Sequence, residues 1–365
     1  MKKIFIITIS HRPDDSRVYQ KIGLSLAKQY QVIIFHNCQI DTKNLQPIRF
    51  YRSTKPDKAQ FFINAFRTIL KEKPNLIICV EPITLLIGNL SKMIFKIPFI
   101  YDCHEFFAEA FSEKFNHHQA FYKKLYQFTE RSMYRKADGV VTVNQLLVNE
   151  IIKYQKNTIY CGNYPHKRIV DQHNKIKQFD LIYIGGISRF RGLDLMLEAI
   201  SELKCKNKHF TLLIIGKFLN KDEENYAFDF IKTHQLDELV QIHGFVSSNH
   251  IMNYIQQAKI GISVLNPSIN RYRKAIPLKL LEYMQFSLPV IANDFPIVKD
   301  IVEQNHCGYT VFYDKNALIN AICKLTESNE TYHFFANNAN HLIQTYYNWQ
   351  NEETKLFNLI HGILK

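Results

Sequence analysis

Short apolar runs alternate with longer amphipathic stretches in the first half of the chain. The runs predict strands over residues 3–9, 31–35, 76–80, 98–101 and 139–143. The stretches between them predict helices over residues 18–29, 59–72 and up to 136, with another helix starting at Gln145. Strands separated by helices pair in parallel through right-handed crossovers. Since a run such as 76–80 shows no alternation, we expect both faces of this sheet to be covered.

Residues 162–178 contain Gly, Asn, Pro and His and show no clear periodicity, which predicts a linker. The same alternation of apolar runs and amphipathic stretches restarts after them. Strands are predicted over residues 180–184, 209–215, 240–243, 259–264 and 288–292, each followed by a helix. The predicted fold class is therefore α/β, with two Rossmann-like, doubly wound parallel-sheet domains that face a cleft. Ligands of such sheets bind at the carboxyl ends of the strands.

Composition narrows the classes of partner. The net charge of +13, from 46 basic and 33 acidic residues, suits nucleic acid, an anionic membrane surface or a phosphate-bearing substrate, or simply reflects a lysine-rich proteome. No basic and aromatic module of a nucleic-acid binder occurs, so no nucleic-acid partner is predicted. The apolar segment 76–101 contains charges and prolines that exclude a membrane span, which makes the cytoplasm the expected location. The seven cysteines form no C-x-x-C pair, and no metal site is predicted.

A glycine-rich turn after the strand 180–184 is the first candidate site. Gly185 and Gly186 precede Arg189, Arg191 and a predicted helix start near Gly192. Glycine allows a ligand to approach the backbone, while a helix N-terminus and arginine both attract anions. This order suits a diphosphate, and the alternative is a tight turn with solvated arginines.

A lysine and a glutamate on one helix face form the second candidate. Lys279 and Glu282 follow Pro277, which is typical of a first helical turn, and they lie three residues apart. A carboxylate can accept both ribose hydroxyls, and a nearby lysine can meet phosphate. The alternative is an ordinary surface ion pair.

A histidine at the end of the strand 98–101 is the third candidate. His104 can face a cleft, where an imidazole donates a hydrogen bond or exchanges a proton near neutral pH. A structural histidine is the alternative.

Together, these motifs resemble glycosyltransferases of the GT-B fold, specifically glycosyltransferase family 4 (group 1), over nearly the whole chain. The segments that carry the resemblance are 15–28, 101–105, 137–143, 183–192, 243–246, 277–284 and 288–294, with a C-terminal helix around Trp349. The resemblance implies an N-terminal acceptor-side domain over 1–165, a nucleotide-sugar-binding domain over 166–345, and a helix over 346–365 that crosses back to the first domain.

The family resemblance also implies roles for individual residues. Glu282 would bind the donor ribose, and Arg191, with Lys279 as a second candidate, would neutralise the leaving diphosphate. His104 would contact the transferred sugar. The remaining donor-binding positions implied by the resemblance are Gly185, Gly186, Arg189, Gly244 and Phe245. The implied reaction is retaining transfer from a nucleoside-diphosphate sugar to an acceptor hydroxyl, without a cofactor or a bound metal.

Three positions depart from the family pattern. Lys274 stands where an earlier glutamate is usual, Gly186 stands where a basic residue is usual, and residues 12–15 replace a glycine pair. The alternatives are therefore a catalytically silent nucleotide-sugar-binding subunit and a sugar-nucleotide epimerase on the same fold.

Aromatic and basic residues interleave over residues 106–136, directly after His104. The resemblance implies a glycan or lipid-linked acceptor, as in the synthesis of surface polysaccharide or glycolipid. A helix of this composition suits an anionic membrane, which predicts a peripheral position on the inner face of the plasma membrane. The alternative is that its aromatic side chains are core and its basic side chains a solvated face.

Overall fold

The computed structural model describes residues 1–39, 41–42, 44–53, 57–115, 117–168, 176–246 and 248–365. Contacts between Cα atoms divide them into two compact units. Unit 1 comprises Met1–Asn163 and Trp349–Lys365, and unit 2 comprises Tyr164–Asn348. Part of the predicted linker 162–178, residues 169–175, lies outside the described residues.

Unit 1 is built on a parallel sheet with the order β3-β2-β1-β4-β5-β6-β7, in which every described pairing is parallel. Its strands are β1 (Lys3–Ile7), β2 (Gln31–His36), β3 (Arg49–Arg52), β4 (Leu76–Cys79), β5 (Phe99–Cys103), β6 (Gly139–Thr142) and β7 (Thr158–Tyr160). The central strands are buried along their whole length, as expected for a sheet covered on both faces.

The helices of unit 1 cover this sheet. A π-helical segment, Ser16–Gly23, continues into α1 (Leu24–Ala27). The others are α2 (Lys58–Glu72), α3 (Leu85–Phe95), α4 (Phe107–Ser112), α5 (Gln119–Tyr134), α6 (Gln145–Ile151) and, from the far end of the chain, α14 (Trp349–Ile363). Asp57 caps α2 and Asn144 caps α6, because each side chain accepts a hydrogen bond from a backbone N–H of the first turn.

Unit 2 repeats the architecture with the strand order β10-β9-β8-β11-β12-β13, again wholly parallel in the described part. Its strands are β8 (Phe179–Ile184), β9 (Leu212–Ile215), β10 (Val240–His243), β11 (Ala258–Ser263), β12 (Val290–Asn293) and β13 (Gly308–Val311). Its helices are α7 (Leu193–Cys205), α8 (Lys221–Thr233), α9 (Ser248–Ile255), α10 (Leu278–Gln285), α11 (Pro296–Val302), α12 (Lys315–Leu325) and α13 (Asn329–Thr345).

The predicted fold class is confirmed, with two Rossmann-like domains built on parallel sheets. Three strands, β3, β7 and β13, were not among the predicted elements. Across the described residues, no helix is both long and apolar enough to cross a membrane.

The last helix, α14, packs in unit 1 although unit 2 precedes it in the chain. Trp349 is fully buried, and its indole Nε1 donates a hydrogen bond to Oγ of Ser25 at 2.8 Å. The carboxylate of Glu352 accepts a hydrogen bond from the backbone N–H of Gly162, also at 2.8 Å. The C-terminal segment thus completes the core formed by β1, β4 and β6.

Candidate active site

The glycine turn after β8 is fixed by close backbone packing. Gly185 has a φ of +134°, a conformation that glycine adopts without strain. A Cβ on Gly216, after β9, would lie 1.8 Å from the carbonyl oxygen of Gly185, so only glycine fits there. The two strand ends therefore meet backbone to backbone.

Arg191 lies over this turn. A Cβ built on Gly186 would lie 3.6 Å from Cζ of Arg191, so the guanidinium covers the position where a side chain would otherwise stand. Gly192 follows with a φ of +83°, and α7 begins at Leu193. The turn, the guanidinium and the helix N-terminus are thus consecutive, an arrangement that attracts anions.

Lys279 reaches the same turn from α10. Its Nζ would lie 3.6 Å from a Cβ on Gly185 and is 3.6 Å from the centroid of the Tyr183 ring. The Nζ atom is buried and has no hydrogen-bond partner among the described residues. Burial and the charge of Arg191 lower the pKa of Lys279 well below 10.5, while Glu282 opposes this shift. A buried ammonium without a partner is costly, and an anion at this turn would relieve that cost.

Tyr283 fixes α10 against the sheet, and the sequence analysis did not identify it. Its phenol oxygen accepts a hydrogen bond from the backbone N–H of Ile184 at 2.8 Å. A Cβ on Gly261 of β11 would lie 2.2 Å from the Tyr283 ring, so a glycine is required in that strand. An isolated glycine inside an apolar strand was the one available signal for this close approach. The contact holds Lys279 in register with the glycine turn.

Glu282 lies on α10, one turn from Lys279, and is half-buried. Its charge raises the pKa of Lys279, which places the two groups in one electrostatic environment. Lys274, at the position where the family usually has glutamate, ends a short 3₁₀ turn, Asn270–Lys274, ahead of this helix.

The structure does not bring Arg189 to the ammonium of Lys279. The Nε of Arg189 lies 3.3 Å from the carboxylate of Glu223, and its guanidinium lies 5.1 Å from the Tyr226 ring.

Gly244 and Phe245 lie after β10. Phe245 is largely exposed, and Nζ of Lys217 lies 5.2 Å from the centroid of its ring. A Cβ on Gly244 would meet nothing within 4 Å. Together with Lys217, these two residues therefore form an open surface that is both aromatic and basic at the end of β10.

In unit 1, His104 follows β5 and is held by a buried ion pair. Asp102 accepts two hydrogen bonds from Nε and Nη2 of Arg17, at 2.9 and 2.6 Å, and lies 3.3 Å from Nδ1 of His104. Burial alone would raise the pKa of Asp102, but Arg17 and His104 hold it well below its usual value. The carboxylate therefore stays ionised and orients the imidazole.

His11 contacts His104, and sequence reasoning missed it. The two Nε2 atoms are 3.0 Å apart, and the ring centroids are 4.7 Å apart. Glu81, buried after β4, holds the loop of His11 because it accepts hydrogen bonds from Oγ1 of Thr8 and from the backbone N–H of Ser10. Because β1 and β4 are neighbours in the sheet, the polar residues that follow these strands, His11 and Glu81, were the sequence signal for this contact.

A cavity of about 280 Å³ lies beside His104, in unit 1. Its walls include Phe107, Tyr154 and Glu130. Glu130 accepts a hydrogen bond from the Tyr101 hydroxyl at 2.6 Å, and burial raises its pKa to about 7. The described residues contain no group of three or more histidine, cysteine or acidic side chains placed to hold a metal ion.

Two family models match the chain in tandem. Residues 16–162 match the model described as Glycosyltransferase Family 4, and residues 166–342 match the model described as Glycosyl transferases group 1.

Solved structures with similar folds span the whole chain. Sucrose-phosphate synthase from Thermosynechococcus elongatus superposes with a TM-score of 0.77 at 15% identity, covering 100% of this chain and 99% of that one. Anabaena HepE in complex with UDP and glucose gives a TM-score of 0.76 at 15% identity, covering 99% and 100%.

Among curated relatives, the amylovoran biosynthesis glycosyltransferase AmsK of Erwinia amylovora is 24% identical over 154 residues, which are 42% of this chain and 37% of the relative. The chain matches about a third of the length of the curated relatives.

Proposed function

Because the chain belongs to the group 1, family 4 type of glycosyltransferase with the GT-B fold, we propose that it moves a sugar from a nucleoside-diphosphate sugar to an acceptor hydroxyl. The names of the curated relatives, which refer to the biosynthesis of amylovoran and colanic acid, support a polysaccharide as the proposed product, and the family resemblance adds surface polysaccharide or glycolipid as the product class. HepE, the similar structure solved with UDP and glucose, makes UDP-sugars the first donors to test.

The observation that carries this proposal is the unpartnered ammonium of Lys279 beside the Gly185 turn. A diphosphate at the turn would give Lys279 its missing partner, and Arg191 would share the charge. As the sugar–phosphate bond breaks, negative charge grows on the leaving diphosphate. Preorganised cations therefore stabilise the transition state more than the bound substrate.

The other predicted residues keep the roles implied by the family resemblance. Glu282 binds the donor ribose, His104 contacts the transferred sugar, and Gly244 with Phe245 borders the base. Gly185 and Gly186 admit the diphosphate, and Arg189 remains a proposed donor-binding residue.

The test is release of nucleoside diphosphate from a panel of sugar nucleotides, with Lys279→Met beside the native protein. We expect turnover with one donor and a loss of about 10²- to 10³-fold in Lys279→Met, the usual effect of removing one transition-state charge partner. Lys206→Met, at an exposed lysine on the end of α7, is the matched control and should retain activity. Nucleotide binding without turnover on any donor would instead indicate the silent subunit.

Retention of configuration and independence of metal are also part of the proposal, and both come from the family resemblance. Activity should survive EDTA, and NMR of the product should show the anomeric configuration of the donor. An inverted product would contradict the retaining mechanism while leaving the fold unaffected.

We further propose that the acceptor is presented at an anionic membrane surface by α5. Phe121, Leu125 and Phe128 recur at helical spacing and are exposed, at 63%, 49% and 67%. Other aromatic rings of this region, such as Phe115 and Tyr122, stack on each other instead. An exposed apolar stripe in a basic region suits the interface of an anionic bilayer.

Co-sedimentation with liposomes of anionic lipid tests this surface. Lys123 pairs with Glu109 at 2.8 Å and Arg131 stacks on Tyr154, so Lys124 is the better cation to remove together with the apolar stripe. Phe121→Ser combined with Phe128→Ser and Lys124→Glu should abolish low-salt binding. The exposed Phe228→Ser in unit 2 is the control. If the native protein does not bind such liposomes, the acceptor is soluble or a partner recruits the enzyme.

A further inference from the structure

The imidazoles of His11 and His104 meet nitrogen to nitrogen. The distance of 3.0 Å between their Nε2 atoms is a hydrogen-bond distance, so one nitrogen donates and the other accepts. The rings cross at 66°, which excludes simple stacking as the reason for the contact. The pair therefore holds a proton on the axis between the two nitrogens.

The opposite nitrogens decide which ring donates. Nδ1 of His104 faces the carbonyl oxygen of Asp102 at 3.2 Å and its carboxylate at 3.3 Å. Because both are acceptors, this nitrogen carries hydrogen, and Nε2 of a neutral His104 is left as the acceptor. Nε2 of His11 must then donate.

The second nitrogen of His11 also favours a hydrogen. Nδ1 of His11 lies 3.5 Å from the carboxylate of Asp15, so both of its nitrogens face acceptors and the ring is an imidazolium. If His11 loses a proton, either Asp15 or His104 loses its hydrogen bond. The charge of the Asp15 carboxylate favours the neutral tautomer that keeps its hydrogen on Nδ1, so deprotonation of His11 withdraws the hydrogen bond from His104 and loosens that ring.

The surrounding charges favour the protonated pair. Burial lowers the pKa of His11, but the hydrogen bond to Asp15 and the charges of Asp15, Glu81 and Glu105 outweigh it and raise the pKa above 6.5. On the far side of His104, the charge of Asp102 is matched by Arg17. Arg12, on the loop of His11, is paired with Asp14.

We propose that His11 is a positioning residue for His104, and that the proton the two rings share confines sugar transfer to the pH range in which the pair is protonated. This proposal rests on the proposed function, because it assigns regulation by pH to the histidine that is to contact the transferred sugar. His11 acts through His104 and need not touch the substrate.

The pH profile of kcat/KM tests the proposal, since it reports ionisations of the free enzyme. We expect the native profile to fall as the pH rises above the pKa of His11. In His11→Gln, an amide N–H can donate to His104 at every pH, so this fall should disappear. His11→Leu cannot donate, and should lose about 10- to 100-fold even at low pH, the cost of one charge-assisted hydrogen bond.

The variant Asp15→Asn provides a second test of the proposal. Asparagine can still accept the backbone N–H bonds of Arg17 and Val18 that Asp15 makes at the start of the π-helical segment. It removes the charge that favours protonated His11, so the fall in kcat/KM should move to lower pH. His209→Gln, at an exposed histidine of unit 2, should leave the profile unchanged.

A pH profile of His11→Gln identical to that of the native protein would overturn the proposal. If the native protein turns over no donor, the proposed function fails instead. The ¹⁵N chemical shifts of the imidazoles in the full chain then test separately whether His11 and His104 share a proton. A raised pKa of His11, with a chemical shift of His104 Nε2 that follows the titration of His11, supports the pair. Independent titrations at ordinary values refute it.

Discussion

Each unit contains a buried cationic side chain, and the two side chains differ in their hydrogen-bond partners. In unit 1, Arg17 is 2% exposed and donates to both carboxylate oxygens of Asp102 and to the carbonyl of Cys161. In unit 2, the buried Nζ of Lys279 lies against the Tyr183 ring and has no hydrogen-bond partner in the part of the chain that the structure describes. Removing one partner of a hydrogen-bonded ion pair leaves the other charge buried and unpaired, which destabilises the fold. Removing a buried charge that has no hydrogen-bond partner should instead stabilise it. The difference separates a structural cation from one that is available to a ligand.

Replacement of Arg17 should give the largest effect on stability. Arg17→Met leaves Asp102 buried without its counter-charge, so the free energy of unfolding should fall by about 3–5 kcal/mol. Urea denaturation followed by circular dichroism measures this. Arg12→Met, at the exposed pair with Asp14, is the control and should cost about 1 kcal/mol or less. Equal losses in the two variants would remove the contrast between the units.

Glu130 sharpens the comparison, because it is a buried acid of unit 1 that accepts a hydrogen bond from the Tyr101 hydroxyl. Its pKa rises from 4.5 to about 7 on folding, so the folded state binds the proton more tightly, and stability is lost as the pH rises from 4.5 through 7. Glu130→Gln keeps an acceptor for Tyr101 and should stabilise the fold at pH 8 by on the order of 3 kcal/mol. Below pH 4 the gain should vanish in thermal melts, and Glu238→Gln, at an exposed site, should show no such dependence.

Lys279→Met should stabilise unit 2 while it lowers turnover. Removing an unpartnered buried charge should raise the free energy of unfolding by about 1–3 kcal/mol at pH 7. The folded-state pKa is lowered, so the folded state binds fewer protons, and the gain should shrink as the pH rises toward 10.5. Thermal melts across pH measure it, and a destabilised Lys279→Met would mean that the ammonium has a structural partner.

Proton uptake on binding should be the smallest effect. A diphosphate beside Lys279 favours its charged form, so binding of the nucleoside diphosphate above neutral pH should take up a fraction of one proton. Calorimetry in buffers of different ionisation enthalpy detects this, and the uptake should be absent in Lys279→Met. Equal uptake in both proteins would assign the proton to another group.

The sequence predicted the central strands and the edge strand β10, and it missed the other three edge strands. The three missed strands, β3, β7 and β13, all lie at the edge of a sheet. Each has a neighbour on one side only, and their short, partly polar sequences lack the apolar run that marks a central strand. The central strand β4, buried throughout, was predicted to within one residue.

In the candidate site, too, some residues could be predicted from the sequence and others could not. Local motifs pointed to Gly185, Lys279 and His104, since each follows a strand or lies on a helix with a visible pattern. The partners of these residues, Tyr283 and His11, come from other elements, and only the three-dimensional packing pairs them. The roles of Gly185, Lys279 and His104 in donor binding and transfer remain predictions.

The placement of α14 has a consequence for synthesis on the ribosome. Residues 1–163 emerge before unit 2, yet the helix that fills their core emerges only after all of unit 2. Until then, the sites that receive Trp349 and Leu356 remain open, whereas unit 2 is contiguous and can fold as it emerges. The half of the molecule that is translated first is therefore the half that matures last. A ribosome that stalls before residue 349 would present an unfinished apolar surface to the chaperones.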